Sequence, residues 1–142
     1  MKVIICGGRS LADTPTQIPD GLDRRPYQEW LDEALHGMAV TAVISGRAAG
    51  GDRIGEKWAR RHGRPVDPYP ADWGQDPRLG GFRRNQRMVA VADATVVLPG
   101  SNGTRDTWAR SVAKGILVIV HPLMAARWPH GPAWRPIDFS AA

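Results

Sequence analysis

The stretch "VVLPGSNGTRDTWA", Val96 to Ala109, decides how this chain is read. An apolar run leads into a glycine-bearing turn, and the turn leads into a segment of helical spacing that opens on a Thr. That succession is strand, tight turn, helix N-terminus. It is the unit with which α/β proteins seat a phosphate, because the first N–H groups of the helix are unpaired and its dipole favours an anion. The helix predicted over Thr104–Lys114 carries Trp108, Ala109, Val112 and Ala113 on one face, and Gly115 stops it as a C-cap.

Working outward, the same unit recurs. Five strands are predicted: Lys2–Cys6, Thr41–Ser45, Val66–Tyr69, Ala94–Leu98 and Ile116–His121. The first is a continuous apolar run, as in a strand buried on both faces. The third is interrupted by Pro68 and belongs near an edge. Between them lie helical patterns at Pro26–Met38, Asp52–His62 and Phe82–Ala92. Strands alternating with helices imply an α/β fold, a Rossmann-like three-layer sandwich around a mostly parallel sheet of five strands. The 142 residues fit one domain, residues 1–142, with an irregular Pro- and Trp-rich tail over 122–142. Two further segments read as irregular: Ser10–Arg25, and the long loop Pro68–Gly81, whose length suits a functional loop.

Composition narrows the function classes. No apolar run approaches the ~20 residues that span a membrane. The one cysteine, Cys6, excludes an internal disulfide and a multi-cysteine zinc site, and a cytoplasmic location is the default expectation. The four histidines are scattered, so no metal site is expected. The net charge is +5, and only Lys2, Lys57 and Lys114 among the nineteen basic residues are lysine. Arginine's planar fork suits phosphate, although GC-rich codon usage explains an Arg excess equally well.

Three glycine-rich turns follow three apolar strands: "CGGRS", "SGRAAGGD" and "PGSNGT". In a parallel sheet all three share the carboxyl edge, where ligands bind. Each could be only a tight turn, but three on one edge argue for an anion site. Familiar nucleotide motifs are absent. "GRAAGGDR" has Walker A spacing, yet Asp52 and Arg53 stand at the Lys and Ser/Thr positions, and an Asp there repels phosphate. No turn gives GxGxxG.

The ordered set "ICGGR", "SGRAAGGDRIGEKWA", "YPADW", "RRNQRM" and "ADATVVLPGSNGT" resembles the SLOG superfamily, and most closely its YspA-like, YpsA-related branch. The resemblance runs from Lys2 to about Val120. It implies a Rossmann-like fold and a nucleotide or nucleotide-derived ligand. For some members it also implies a link to phage or mobile-element conflict. The superfamily includes the LOG phosphoribohydrolases and the DNA-processing protein A family. The resemblance places the phosphate loop at Pro99, Gly100, Ser101, Asn102, Gly103 and Thr104, with Ser101 where a second glycine is usual; a positive φ there would cost a Ser more than a Gly. It places the glycine-rich turn at Ser45, Gly46, Gly50, Gly51 and Asp52, with Arg47 replacing a glycine. It matches Arg84, Asn85 and Met88 to an RNxxM pattern. Gly7, Gly8 and Arg9 complete the candidate ligand-binding set.

The departure that bears on catalysis is Thr107, which stands where the LOG hydrolases carry a Glu. Threonine is a poor general base. N-glycosidic hydrolysis normally calls on a carboxylate, and the remaining candidates are Asp52, Glu56 and Asp106. Asp106 lies about 100° round a helix from Thr107 and does not simply replace it. Each has a structural alternative: Asp52 and Thr104 as helix N-caps, and Glu56 in an i,i+4 pair with Arg60. Trp73 either stacks on a base or plugs the core. Arg9, Arg83, Arg84 and Arg87 either clamp an anion or face solvent. Asn85 reads a base or ribose edge, or bonds a loop. Cys6 reads as inert packing.

The favoured expectation is a binding module, a sensor or regulatory domain for a nucleotide-type ligand, with no separate cofactor and no membrane partner. The alternative is a LOG-like enzyme acting on an N-glycosidic or phosphoribosyl bond. Single-strand nucleic-acid binding is a weaker third reading, and the tail leaves self-association as a homo-oligomer open.

Overall fold

A computed structural model describes residues 1–141. Its five strands are β1 (Lys2–Cys6), β2 (Ala42–Ser45), β3 (Val66–Pro68), β4 (Ala94–Val97) and β5 (Leu117–Val120). They form one sheet in the order β3-β2-β1-β4-β5, and every pairing is parallel. The helices are α1 (Tyr27–Ala34), α2 (Gly51–Arg61), α3 (Gly80–Val91), α4 (Asn102–Lys114) and α5 (Pro122–Arg127). The expected α/β fold is therefore present, with the Pro-bearing β3 at one edge.

Period-two alternation in β1 sorts the core. Val3 and Ile5 face one side, where Tyr27, Trp30 and Leu31 of α1 and Ile54, Trp58 and Ala59 of α2 cover them. Ile4 and Cys6 face the other, against Met88 and Val89 of α3, Trp108 of α4 and Met124 of α5. Burying each Val, Ile, Leu or Met side chain among these contributes about 1.5–3 kcal/mol. The α2 helix lies so close to β1 that a Cβ at Gly55 would meet Ile5 Cβ at 2.7 Å.

The sequence-derived bounds shift by small amounts. Three predicted strand ends lie one residue beyond the ladder, where single bonds continue the pairing: Tyr69 N to Ser45 O, Leu98 N to Cys6 O and His121 N to Val97 O. The first helix stops at Ala34, well short of Met38, because the chain turns at Gly37, whose φ is +77°. Two residues expected as N-caps lie inside their helices instead. Gly50, at φ +74°, is the N-cap of α2 ahead of Asp52, and Ser101 is the N-cap of α4 ahead of Thr104.

The tail is not wholly irregular. It begins with α5, whose Pro122 takes the first helical position and whose N-cap, His121, accepts from Leu123 N through Nδ1 at 3.1 Å. Residues 132–140 then run back over α3 and α4. Arg105 donates to Pro132 O and Ala133 O, with its guanidinium 3.7 Å from the Trp128 ring centroid and 5.3 Å from that of Trp134. Arg110 Nη2 donates to Ile137 O, and Phe139 N donates to Gln86 Oε1.

Candidate functional site

In the sheet order, β2 and β3 extend to one side of β1, and β4 and β5 extend to the other. The order in which strands are added to the sheet reverses between β1 and β4, and the crevice above such a switch point is where open α/β sheets bind ligands. A cavity of about 930 Å³ lies there, at the carboxyl ends of the strands.

The three glycine-rich turns are tied to one another at its floor. The Gly8 peptide joins them: its N–H donates to Pro99 O at 2.8 Å, and its carbonyl accepts from Gly51 N at 3.0 Å. The glycines permit this approach. A Cβ on Gly51 would meet the Gly7 carbonyl carbon at 2.6 Å, and one on Gly100 would meet Thr104 Cβ at 2.7 Å and Gly8 N at 2.8 Å. Several glycines thus bring backbone against backbone, and the cradle is a product of that packing.

Most of the predicted binding residues come together here. Gly7, Gly8, Arg9, Asp52, Arg84, Asn85, Pro99, Gly100, Ser101, Gly103 and Thr104 line the cavity. Ser45, Gly46, Gly50, Gly51 and Asn102 do not; they shape the turns behind it. Ser101 has φ −111°, so the feared strain at that position does not arise. The strain falls on Arg47 instead, at φ +63°. Its N–H donates to Ser45 Oγ and its guanidinium to Glu56, which hold a non-glycine residue in left-handed backbone.

Arg84 and Asn85 are buried on α3. Arg84 Nη1 donates to Gly46 O at 2.6 Å and Nε to Asn85 Oδ1 at 2.9 Å, while Nη2 has no protein acceptor among the described residues. Burial holds its pKa below the usual guanidinium value, against the pull of Asp52. A cation so desolvated gains when an anion enters beside it. The first bond of α4 runs from Arg105 N to Ser101 O, so the N–H groups of Asn102, Gly103 and Thr104 have no acceptor within the helix.

The three carboxylates separate sharply. Glu56 does not pair with Arg60. It turns inward, accepting from Ser45 Oγ (2.6 Å), Arg47 Nη1 (2.7 Å) and Arg53 Nη1 (3.3 Å). Asp106 is buried among Asn85 Nδ2 (3.1 Å), Arg110 Nε (2.8 Å) and Trp134 Nε1 (2.9 Å). Neither lines the cavity. Asp52 does, with Oδ2 accepting from Ala48 N at 3.1 Å. Burial pushes its pKa up, partly offset by the Ala48 N–H and Arg84.

Sequence reading missed part of the wall. Leu11 and Thr14–Gln17 of the β1–α1 loop line the cavity, as do Arg78 and Arg127. That loop's Pro, Asp and Thr content signalled irregularity but not position. Trp73 is not a core plug: it is exposed and lines the same cavity. Cys6 reaches the floor, where burial pushes its thiol pKa up and keeps it unreactive. Among the described residues no cluster of His, Cys, Asp and Glu could hold a metal ion, and no helix is long and apolar enough to cross a membrane.

No curated protein and no solved structure matches this chain. A family model does, over residues 1–75. That span runs from β1 through β3 to Gln75, and contains the first two interlocked turns, Gly7–Arg9 and Gly46–Gly51, together with Asp52, Glu56 and Trp73. Matched over more than half its length, the chain belongs to the YspA, cpYpsA-related SLOG family.

Proposed function

We propose that this domain binds a nucleotide or nucleotide-derived phosphate in the cavity above β1 and β4, and acts as a sensor or regulatory module. The observation that carries the reading is the joint placement of the α4 N-terminus and Arg84 Nη2 on one cavity, both without protein acceptors among the described residues. Helix N–H groups and a desolvated guanidinium are complementary to a phosphate. Arg9, Arg78 and Arg127 add positive charge at the wall, against Asp52 alone. Membership of a SLOG family supports a nucleotide-related role.

One observation favours a second reading. Asp52 lies in the cavity with a raised pKa, as an acid–base catalyst would. In that reading Asp52 serves the cleavage of an N-glycosidic or phosphoribosyl bond, with Thr107 unable to contribute.

A thermal-shift screen of nucleoside mono-, di- and triphosphates, followed by chromatography of each mixture, separates the readings. A stabilising ligand recovered intact supports the sensor. Free base that disappears with Asp52→Asn supports the enzyme. No stabilisation at millimolar concentration across the panel rejects both.

A further inference from the structure

We infer that Trp73 is the stacking platform for the planar base of a nucleotide whose phosphate lies at Pro99–Thr104. This inference rests on the anion-site reading and names the class of ligand that fills the remainder of the cavity.

Trp73 is 43% exposed, yet it is held in place. Its six-membered ring lies across Gly80 and Gly81, at the start of α3. A Cβ on Gly81 would meet Trp73 Cη2 at 2.8 Å, and one on Gly80 would meet Cε3 at 3.3 Å. The chain after Trp73 folds back through hydrogen bonds from Gln75 N to Asp72 Oδ1 and from Asp76 N to Asp72 O. An indole fixed in a cavity wall and left open to solvent keeps a large apolar surface available at little ordering cost.

The neighbours fit a base. The Arg9 guanidinium lies 5.6 Å from the indole centroid, within cation–π range. Aromatic rings and guanidinium planes are the two surfaces on which proteins stack bases. Leu11, Phe82 and Met88 add apolar lining to the same cavity. The two halves are also joined: Arg9 follows Gly8, which is bonded to Pro99 O, and Arg84 Nη2 is 3.7 Å from the position of a Cβ on Gly81. A free phosphate or a sugar phosphate would leave the Trp73 half unused. A phosphate ester carrying a planar heterocycle uses both.

The test is calorimetry with ribose 5-phosphate and with the adenine, guanine, cytosine and uracil mononucleotides. It compares the native chain with Trp73→Ala and Trp73→Phe, and follows tryptophan fluorescence in parallel. At least one mononucleotide should bind the native chain about tenfold or more tighter than ribose 5-phosphate. Trp73→Ala should erase that advantage and leave ribose 5-phosphate affinity unchanged, Trp73→Phe should keep most of it, and the quenching seen in the native chain should be absent from Trp73→Phe. Equal affinity of the native chain for all probes would overturn the stacking role and leave the anion site standing. Loss of ribose 5-phosphate affinity in both variants would make Trp73 a structural residue. Binding of none of the probes would remove the anion site, and the inference with it.

Discussion

Arg84 and Asp52 close on Gly46 from two sides. The guanidinium donates to the Gly46 carbonyl, and the carboxylate lies where it would be 2.8 Å from any Cβ placed there. Arg84 comes from α3 and Asp52 from α2, so a turn at the end of β2 brings together side chains of two helices. A methyl group at position 46 would meet Arg84 Cζ at 2.7 Å and Asp52 Oδ2 at 2.8 Å, so both side-chain ends have to move. Gly46→Ala is expected to destabilise the fold by about 1–3 kcal/mol through overpacking and to weaken phosphate binding at least tenfold. Denaturant melts and calorimetry with a nucleotide measure the two effects; unchanged affinity would show that Arg84 is not part of the anion site.

Glu56 and Asp106 are expected to behave as structural residues. Glu56→Gln keeps the shape but removes the charge that Ser45, Arg47 and Arg53 address. A loss of about 1.5–3 kcal/mol follows from the charged hydrogen bonds given up, and the half-exposed arginines put the value towards the lower end. Ligand affinity should follow stability only. A variant as stable as the native chain would contradict the buried network.

Two glycines of the third turn should respond in opposite directions. Gly100→Ala forces Thr104 and Gly8 apart and should lower the melting temperature by several degrees. Gly103 has open space around an added Cβ and sits in the first turn of α4, so Gly103→Ala should be neutral or stabilise by up to about 1 kcal/mol through helix propensity. Paired thermal melts decide this. A destabilised Gly103→Ala would mean that the turn is packed differently.

Acid should weaken the fold through His121. This residue is fully buried, its Nε2 has no partner among the described residues, and its ring packs on Tyr27 and Trp30. Burial lowers its pKa from 6.5 to about 4. Between those values the unfolded chain binds a proton that the folded chain refuses, so stability falls as pH drops from 6.5 to 4 and levels below. Protonation would also end the acceptance by Nδ1 that caps α5. Asp52 acts in the opposite sense, because its raised pKa favours the folded chain as it takes up a proton. Chemical melts from pH 7 to 4 should show the fall in the native chain and a smaller one in His121→Gln. Equal slopes would assign it elsewhere.

The sheet was legible because its signals are local. Apolar runs of four or five residues bounded by glycines define β1, β2 and β4, and Pro68 marks an edge without reference to anything distant. The turns were legible for the same reason. What sequence could not supply was partnership across the chain. Glu56 looks like a surface residue paired with Arg60 until Ser45 and Arg47 are placed beneath it. Asp106 looks like a spare carboxylate until Trp134, twenty-eight positions on, donates to it. Asp52 and Thr104 carry the right chemistry for N-caps, but close backbone packing gives the α2 cap to a glycine at φ +74°, and the α4 cap falls to Ser101. The 10–17 loop carries no periodicity, so nothing in it announced a cavity wall.

The backward run of residues 132–140 sets an order on biogenesis. A ribosome releases the family-matched residues 1–75 before α3 and α4, and those before the strap whose Trp134 donates to Asp106, the acceptor of Asn85. A nascent chain halted before Pro132 can pair all five strands and bond Asn85 and Arg110 to Asp106, but it still lacks the indole N–H that completes the shell of that carboxylate. The setting of Asp106 is therefore finished only after every strand of the sheet has left the ribosome.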